Sequence, residues 1–188
     1  IAALLENRKV QLEYVMDEGG TIKTDGVSGI NKSIALIGVA EKGYTTLQLT
    51  SMGEGGHSSM PPPQTSIGML AEAIDKLQKK PFPARLEGGA SYLQDYLADE
   101  MPFGTKLAMA NRWLLKPVII NIMAQTNAGN AMMRTSIAPT VIHAGVKDNV
   151  LPVEAVAKIN FRILPGDSVR GVEAYVRKVI DNERIKIE

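Results

Sequence analysis

The sequence predicts an α+β fold: a split βαβ unit in which a four-stranded antiparallel sheet carries two helices on one face. Three observations predict it. Residues 43–188 read strand, helix, irregular stretch, strand, strand, helix, strand, in that order. One strand alternates with a clean period of two: Ala155, Ala157, Ile159, Phe161 and Ile163 on one face, Lys158, Asn160 and Arg162 on the other. Two segments carry apolar stripes at helical spacing, Ile67, Leu70, Ala71, Ile74 and Leu77 in the first, Val169, Val172, Val176 and Val179 in the second.

The elements follow in chain order. Residues 1–8 read as the last turns of an amphipathic helix. Val10 to Met16 alternates as a short strand and ends at Asp17-Glu18-Gly19-Gly20, and Ile34 to Val39 is a second apolar strand. With no initiator Met and no signal-peptide layout, residues 1–42 are expected to be the α/β edge of a larger domain, cut from a longer protein. From Gly43 the texture changes. Thr45, Leu47, Leu49 and Ser51 alternate with Thr46, Gln48 and Thr50, as in a half-buried antiparallel strand. A glycine- and proline-rich loop follows, and prolines ahead of the first helix suit its start. Residues 79–131 are punctuated by Pro81, Pro83, Gly88-Gly89, Pro102 and Pro117, and short helices are expected near 92–99, 106–115 and 118–125. Thr135 to Ala144 returns to a strand, and a turn at 145–152 leads into the alternating strand. Asp167 or Ser168 caps the last helix, and Ile185 and Ile187 mark a final strand. The order is that of a ferredoxin-like domain over 43–188, with 79–131 as a helical insert.

Composition narrows the function. The 188 residues carry 21 basic and 20 acidic side chains, a net charge of +1, which gives no reason to expect nucleic acid or a membrane as partner. The absence of cysteine removes disulfides and thiolate metal sites. No apolar run approaches the ~20 residues of a membrane span. The nearest, Leu114 to Met123, is interrupted by Lys116, Pro117 and Asn121. These residues fix no compartment, and the cytoplasm is favoured.

Few side chains could carry chemistry. His57, one of two histidines, sits in Gly53-Glu54-Gly55-Gly56-His57-Ser58-Ser59-Met60-Pro61-Pro62-Pro63, where absent Cβ atoms let a ligand come close. It is either a locally bonded loop histidine or a donor presented to a developing oxyanion. The loop lacks the Gly-Lys-Ser/Thr ending of a phosphate loop. Arg162, on the polar face of its strand, is either solvated or a bidentate grip on a carboxylate. Asn149 is a turn residue or an amide offered to substrate. Asp17-Glu18 is turn chemistry or a ligand at a strand end. His143 reads as structural, and the Trp113-Leu114-Leu115 and Val118-Ile119-Ile120 cluster as a small core.

Together these motifs resemble a known family. Asp17-Glu18-Gly19, Gly55-Gly56-His57-Ser58-Ser59, Asn149-Val150-Leu151-Pro152 and Asn160-Phe161-Arg162 occur in this order in the two-zinc metallopeptidases that include aminoacylase, carboxypeptidase S and the glutamate carboxypeptidases. The likeness covers essentially the whole chain. The insert, Arg134-Thr135 and Ala144 to Lys147 look most like the carboxypeptidase S and N-acyl-amino-acid hydrolase branch. The resemblance implies a lid or dimerisation domain over 43–188, preceded by a segment of the catalytic domain over 1–42. It implies that Glu18 is a metal ligand, that His57 steadies the oxyanion in a partner subunit's site, and that Asn149 and Arg162 hold the substrate's free carboxylate. It further implies a homodimer acting on a small peptide or N-acyl amino acid with two zinc ions, whose other ligands lie before Ile1 and after Glu188, so that this chain alone is inactive and metal-free. A stand-alone dimerisation or small-molecule-binding module without catalysis is one alternative. A fatty-acyl amino acid deacylase, with its acyl pocket around Trp113, is the other.

Overall fold

In the computed structural model, which describes residues 1–15, 20–24 and 30–188, the chain forms two units, Ile1–Val39 and Ala40–Glu188. The first holds helix α1 (Ala2–Asn7) and an antiparallel pair, β1 (Thr21–Lys23) against β2 (Ile34–Leu36), in the register Thr21↔Leu36 to Lys23↔Ile34. The strand expected from Val10 is not formed over residues 10–15, all of which are exposed. Alternation suits a strand, but a strand exists only where a neighbour takes its hydrogen bonds, and no described residue pairs with this segment. The second expected strand stops at Leu36, where β1, which the sequence pattern does not reveal, runs out of partners.

The second unit is built on β3 (Gly43–Met52), β5 (Ser136–Ala144), β7 (Glu154–Ile163) and β8 (Ile185–Ile187), all antiparallel, in the order β5-β7-β3-β8. That is the split βαβ order: the first and third strands lie centrally, the second and fourth at the edges. Between them run the short strands β4 (Gly56–His57) and β6 (Val150–Leu151) and the helices α2 (Ser66–Lys79), α3 (Gly89–Leu97), α4 (Phe103–Ala110), α5 (Arg112–Met123), α6 (Asn127–Met133) and α7 (Val169–Ile180). Helices α2 and α7 cover one sheet face. Leu47, Leu49, Ile159 and Phe161 from the strands meet Met69, Leu70, Leu77, Val172, Val176 and Ile180 from the helices in one core. No helix among the described residues is long and apolar enough to cross a membrane.

Helix α2 buries a face one step away from the expected stripe: Ser66, Met69, Leu70, Ala73 and Leu77 are buried, whereas Ile67 is 44% exposed. Leu70 and Leu77 belong to both faces. The choice is made by Ser66, whose hydroxyl donates to the Pro152 carbonyl at 2.8 Å, and by Thr65, whose side chain accepts from Gly68 N–H as the N-cap. Ser168, not Asp167, caps α7.

Within the insert Pro117 lies inside α5, and the break falls at Asn111 instead. Proline removes one helical hydrogen bond, a loss that packing of Ile119 into a second core with Leu86, Ala90 and Met133 outweighs. The insert's two ends are tied to the sheet. Arg85 N–H donates to Met133 O, and Lys42 Nζ to Ala131 O and Arg134 O. Arg85 pairs with Asp167, which also accepts from the buried Thr135 hydroxyl.

Candidate functional site

The glycine-histidine loop folds back on the Asn149 turn as a two-stranded ribbon. Gly53 N–H donates to Val153 O at 2.7 Å, Gly56 pairs with Leu151 and His57 with Val150, and Ser58 N–H donates to Asn149 O at 3.2 Å. Two glycines are dictated by close approach, Gly53 to the start of α2 and Gly55 across the ribbon. A Cβ on Gly53 would stand 2.9 Å from Ser66 N, and one on Gly55 2.8 Å from Val153 Cγ2. The ribbon continues the β3–β7 ladder, in which Met52 faces Glu154, but with one extra residue on the β3 side. A one-residue slip exchanges the faces of a strand. Unshifted alternation would set His57 with Leu47, Leu49 and Ser51 toward the helices, and the extra residue turns it to the open face.

His57 is exposed, and its Nδ1 lies 2.9 Å from Ser59 Oγ and 3.2 Å from Ser59 N. A backbone N–H can only donate, so Nδ1 accepts and the neutral ring carries its proton on Nε2. Asn149, also exposed, is fixed beside His57 through the Ser58–Asn149 bond. A shallow cavity of about 520 Å³, not anticipated from the sequence, flanks this ribbon along Ser58, Ile67, Lys147, Asp148 and Val150.

Arg162 lies elsewhere. It stands on the exposed face of β7 between Tyr44 and Ser136, and its guanidinium sits 5.0 Å over the Tyr44 ring. Stacking of this kind orients the fork without using its donors. Arg162 makes no ion pair among the described residues, and its charge joins burial in pushing the Lys42 ammonium below its ordinary range. An anion arriving there meets an oriented, unneutralised cation. Arg162 lies eight residue steps along β7 from Glu154, about 26 Å at ~3.3 Å per residue. The chain therefore brings His57 and Asn149 together and holds Arg162 a full strand away from both.

Glu18 lies outside the described residues. Among those described, no group of three or more His, Asp or Glu could hold a metal. His143 is exposed at the β5 edge. The cluster read as a small core is instead largely open: Trp113 is 81% exposed, Leu114 and Val118 are exposed, and Ile119 is its buried member. Helix α5 turns Leu115, Ile119 and Ile120 inward, which leaves Trp113 outward along a trough of about 690 Å³ with Pro117, Ile120, Ala124, Lys116 and Arg134.

Comparison with known proteins bears on this arrangement. The profile of the peptidase dimerisation domain matches residues 39–188. The N-fatty-acyl-amino acid synthase/hydrolase of Homo sapiens is 42% identical over 188 residues, 99% of this chain and 37% of that protein. The "Probable carboxypeptidase S-like 2" of Dictyostelium discoideum is 38% identical over 176 residues, 93% of this chain and 34% of that protein. The chain thus spans little more than a third of the curated relatives it matches. Among solved structures, human carnosine dipeptidase 1 aligns at a TM-score of 0.47 and 12% identity, over 78% of this chain and 35% of that one.

Proposed function

The chain belongs to the peptidase dimerisation domain family, and on that premise we propose that it is the lid and dimerisation part of a hydrolase. The bond cleaved is a peptide or N-acyl amide next to an amino acid with a free carboxylate. The supporting observation is the division of polar groups along one sheet: a donor-bearing imidazole with an amide at one end, an oriented guanidinium at the other. These groups cannot meet on one ligand within one protomer. In a two-fold dimer they can, with Arg162 from one subunit and His57 and Asn149 of the partner subunit. Arg162 grips the substrate carboxylate as a bidentate fork. His57 Nε2–H donates to the oxygen that becomes negative as the amide carbon turns tetrahedral, and Asn149 beside it offers its amide to the carboxylate that Arg162 grips. Residues 1–42 are read as catalytic-domain sequence, and any metal ligands besides Glu18 as lying outside the chain.

The test is hydrolysis of N-acyl amino acids and dipeptides by the full-length protein, with and without a chelator. Loss of activity with chelator is expected from the metal requirement of the reading, and a drop of about 100-fold when the substrate carboxylate is converted to an amide is expected from the loss of a charge-assisted pair. Equal rates on free and capped substrates would remove Arg162 from its role. The 188-residue chain with added zinc should show no turnover. Turnover by it alone would overturn the division of labour.

A second reading, in which the acyl group is a fatty chain, is favoured by the human relative's name and by the exposed Trp113 trough. Ala84, Trp113, Pro117, Ile120 and Ala124 give it an apolar wall, and Lys116 and Arg134, which line it too, have no carboxylate partner among the described residues. Trp113→Ala in the full-length protein should then raise KM about tenfold for long-chain acyl substrates, a loss of ~1.4 kcal/mol, and leave dipeptides nearly unchanged. Equal losses on both would dismiss this reading.

A further inference from the structure

We infer that Ser59 is a positioning residue that holds the His57 imidazole in the tautomer able to donate from Nε2. This rests on the reading that His57 steadies an oxyanion. An exposed ring has no core packing to fix its rotation or its proton, so polar contacts must do it. Those at Nδ1 both come from Ser59: the hydroxyl at 2.9 Å and the backbone N–H at 3.2 Å. The chain is fixed on both sides of that residue. Met60 N–H closes a turn onto His57 O at 3.2 Å, and Ser58 N–H is held by Asn149 O. Ser59 is thus clamped under the ring: its backbone N–H can only donate to Nδ1, and its hydroxyl, which suits either tautomer, takes the donor role beside it and fixes the ring's rotation.

The chemistry needs this. A neutral imidazole has one N–H and one bare nitrogen. With the proton on Nε2 the ring offers a hydrogen bond to developing negative charge. With the proton on Nδ1 it would turn a lone pair toward that charge, a repulsion in place of a stabilisation. In the Nδ1–H form two protons would also meet in the narrow space at Ser59 N. Ser59 therefore selects the productive form before substrate arrives and removes a reorganisation step from the reaction.

The chain has only two histidines, which makes the proposal directly readable. With ¹⁵N-labelled histidine and pH above the imidazolium range, long-range ¹H–¹⁵N correlation distinguishes the tautomers, and His143→Asn assigns the signals. Wild-type His57 should show the Nε2–H form alone. Ser59→Ala keeps the backbone N–H that selects the tautomer but loses the hydroxyl that holds the ring against it, so the ring turns away and both forms should appear, and Ser59→Thr should restore one. In the full-length enzyme Ser59→Ala should lower kcat about tenfold, a fraction of the effect of losing the oxyanion donor itself, with KM little changed, and Ser59→Thr should recover most of it. An Nδ1–H ring in the wild type overturns the inference. So does a Ser59→Ala variant whose spectrum or kcat matches the wild type while His57→Gln is severely impaired. If His57→Gln retains full activity, the oxyanion reading itself has failed, and the inference with it.

Discussion

A one-to-one mixture of the full-length His57→Gln and Arg162→Ala proteins, once their subunits have exchanged, is expected to regain about a quarter of wild-type activity, although each variant alone is nearly dead. The argument is geometric. His57 sits in the ribbon beyond the Glu154 end of β7, and Arg162 sits at the far end of the same strand. If each active site takes its imidazole from one subunit and its guanidinium from the other, the mixed dimer has one intact site and one that lacks both groups. Random exchange of subunits makes half the dimers mixed, and half the sites in these are whole, hence about a quarter. The parent losses are large enough for this to be read. Removing one oxyanion donor costs ~10²–10³ in kcat. Truncating one member of a buried carboxylate–guanidinium pair costs about 2–5 kcal/mol. No recovery after verified subunit exchange would mean that both groups serve the same site from one subunit, or that one of them serves none. Either outcome sinks the assignment in trans.

Strands and helices with one unambiguous apolar face were legible in the sequence, and the register that assembles the site was not. β7 was readable because burial on a single face imposes strict alternation, and Ala155 to Ile163 obey it without exception. Helix α7 was readable because Val172, Val176 and Val179 leave no rival stripe. Helix α2 has two overlapping apolar faces, and periodicity cannot choose between them. The choice is made by Ser66 reaching a carbonyl 86 residues away. The strands β4 and β6 are two residues each, too short to show any period, yet they alone bring His57 to Asn149. A signal was available in principle. Extending the β3–β7 pairing past Met52 and Glu154 runs the glycine loop directly along the Asn149-Val150-Leu151-Pro152 turn. The extra residue that re-aims His57 is a property of the ladder, and no local motif encodes it. Trp113 was misassigned because an apolar cluster in sequence becomes a core only if the helix turns that side inward. Helix α5 spends its inward face on Leu115, Ile119 and Ile120.

The same sheet that separates His57 from Arg162 must be rigid for the separation to mean anything, and Phe161 is the side chain on which that rigidity most depends. It has 0% exposure, lies next to Arg162, and meets Phe82 edge-on with ring centroids 6.4 Å apart. Phe82 in turn stacks on Tyr175 at 4.1 Å, and the Tyr175 hydroxyl donates to the Lys80 and Pro81 carbonyls. One aromatic column thus joins the sheet, the root of the insert and helix α7. Phe161→Ala should cost about 3–5 kcal/mol, the transfer term plus the cavity that flanking aromatics cannot fill. Against a total stability of ~5–15 kcal/mol that is a large fraction. Denaturant unfolding should show the midpoint fall with the slope unchanged. Tyr175→Phe, which keeps the stack and loses only the hydroxyl, should cost about 1 kcal/mol. If the two variants cost the same, the column is not a packing unit and the hydroxyl bonds dominate. If Phe161→Ala is tolerated within about 1 kcal/mol, the site around it relaxes. The end of β7 that carries Arg162 would then lack the stiffness needed to hold a guanidinium a fixed strand-length from the partner's imidazole.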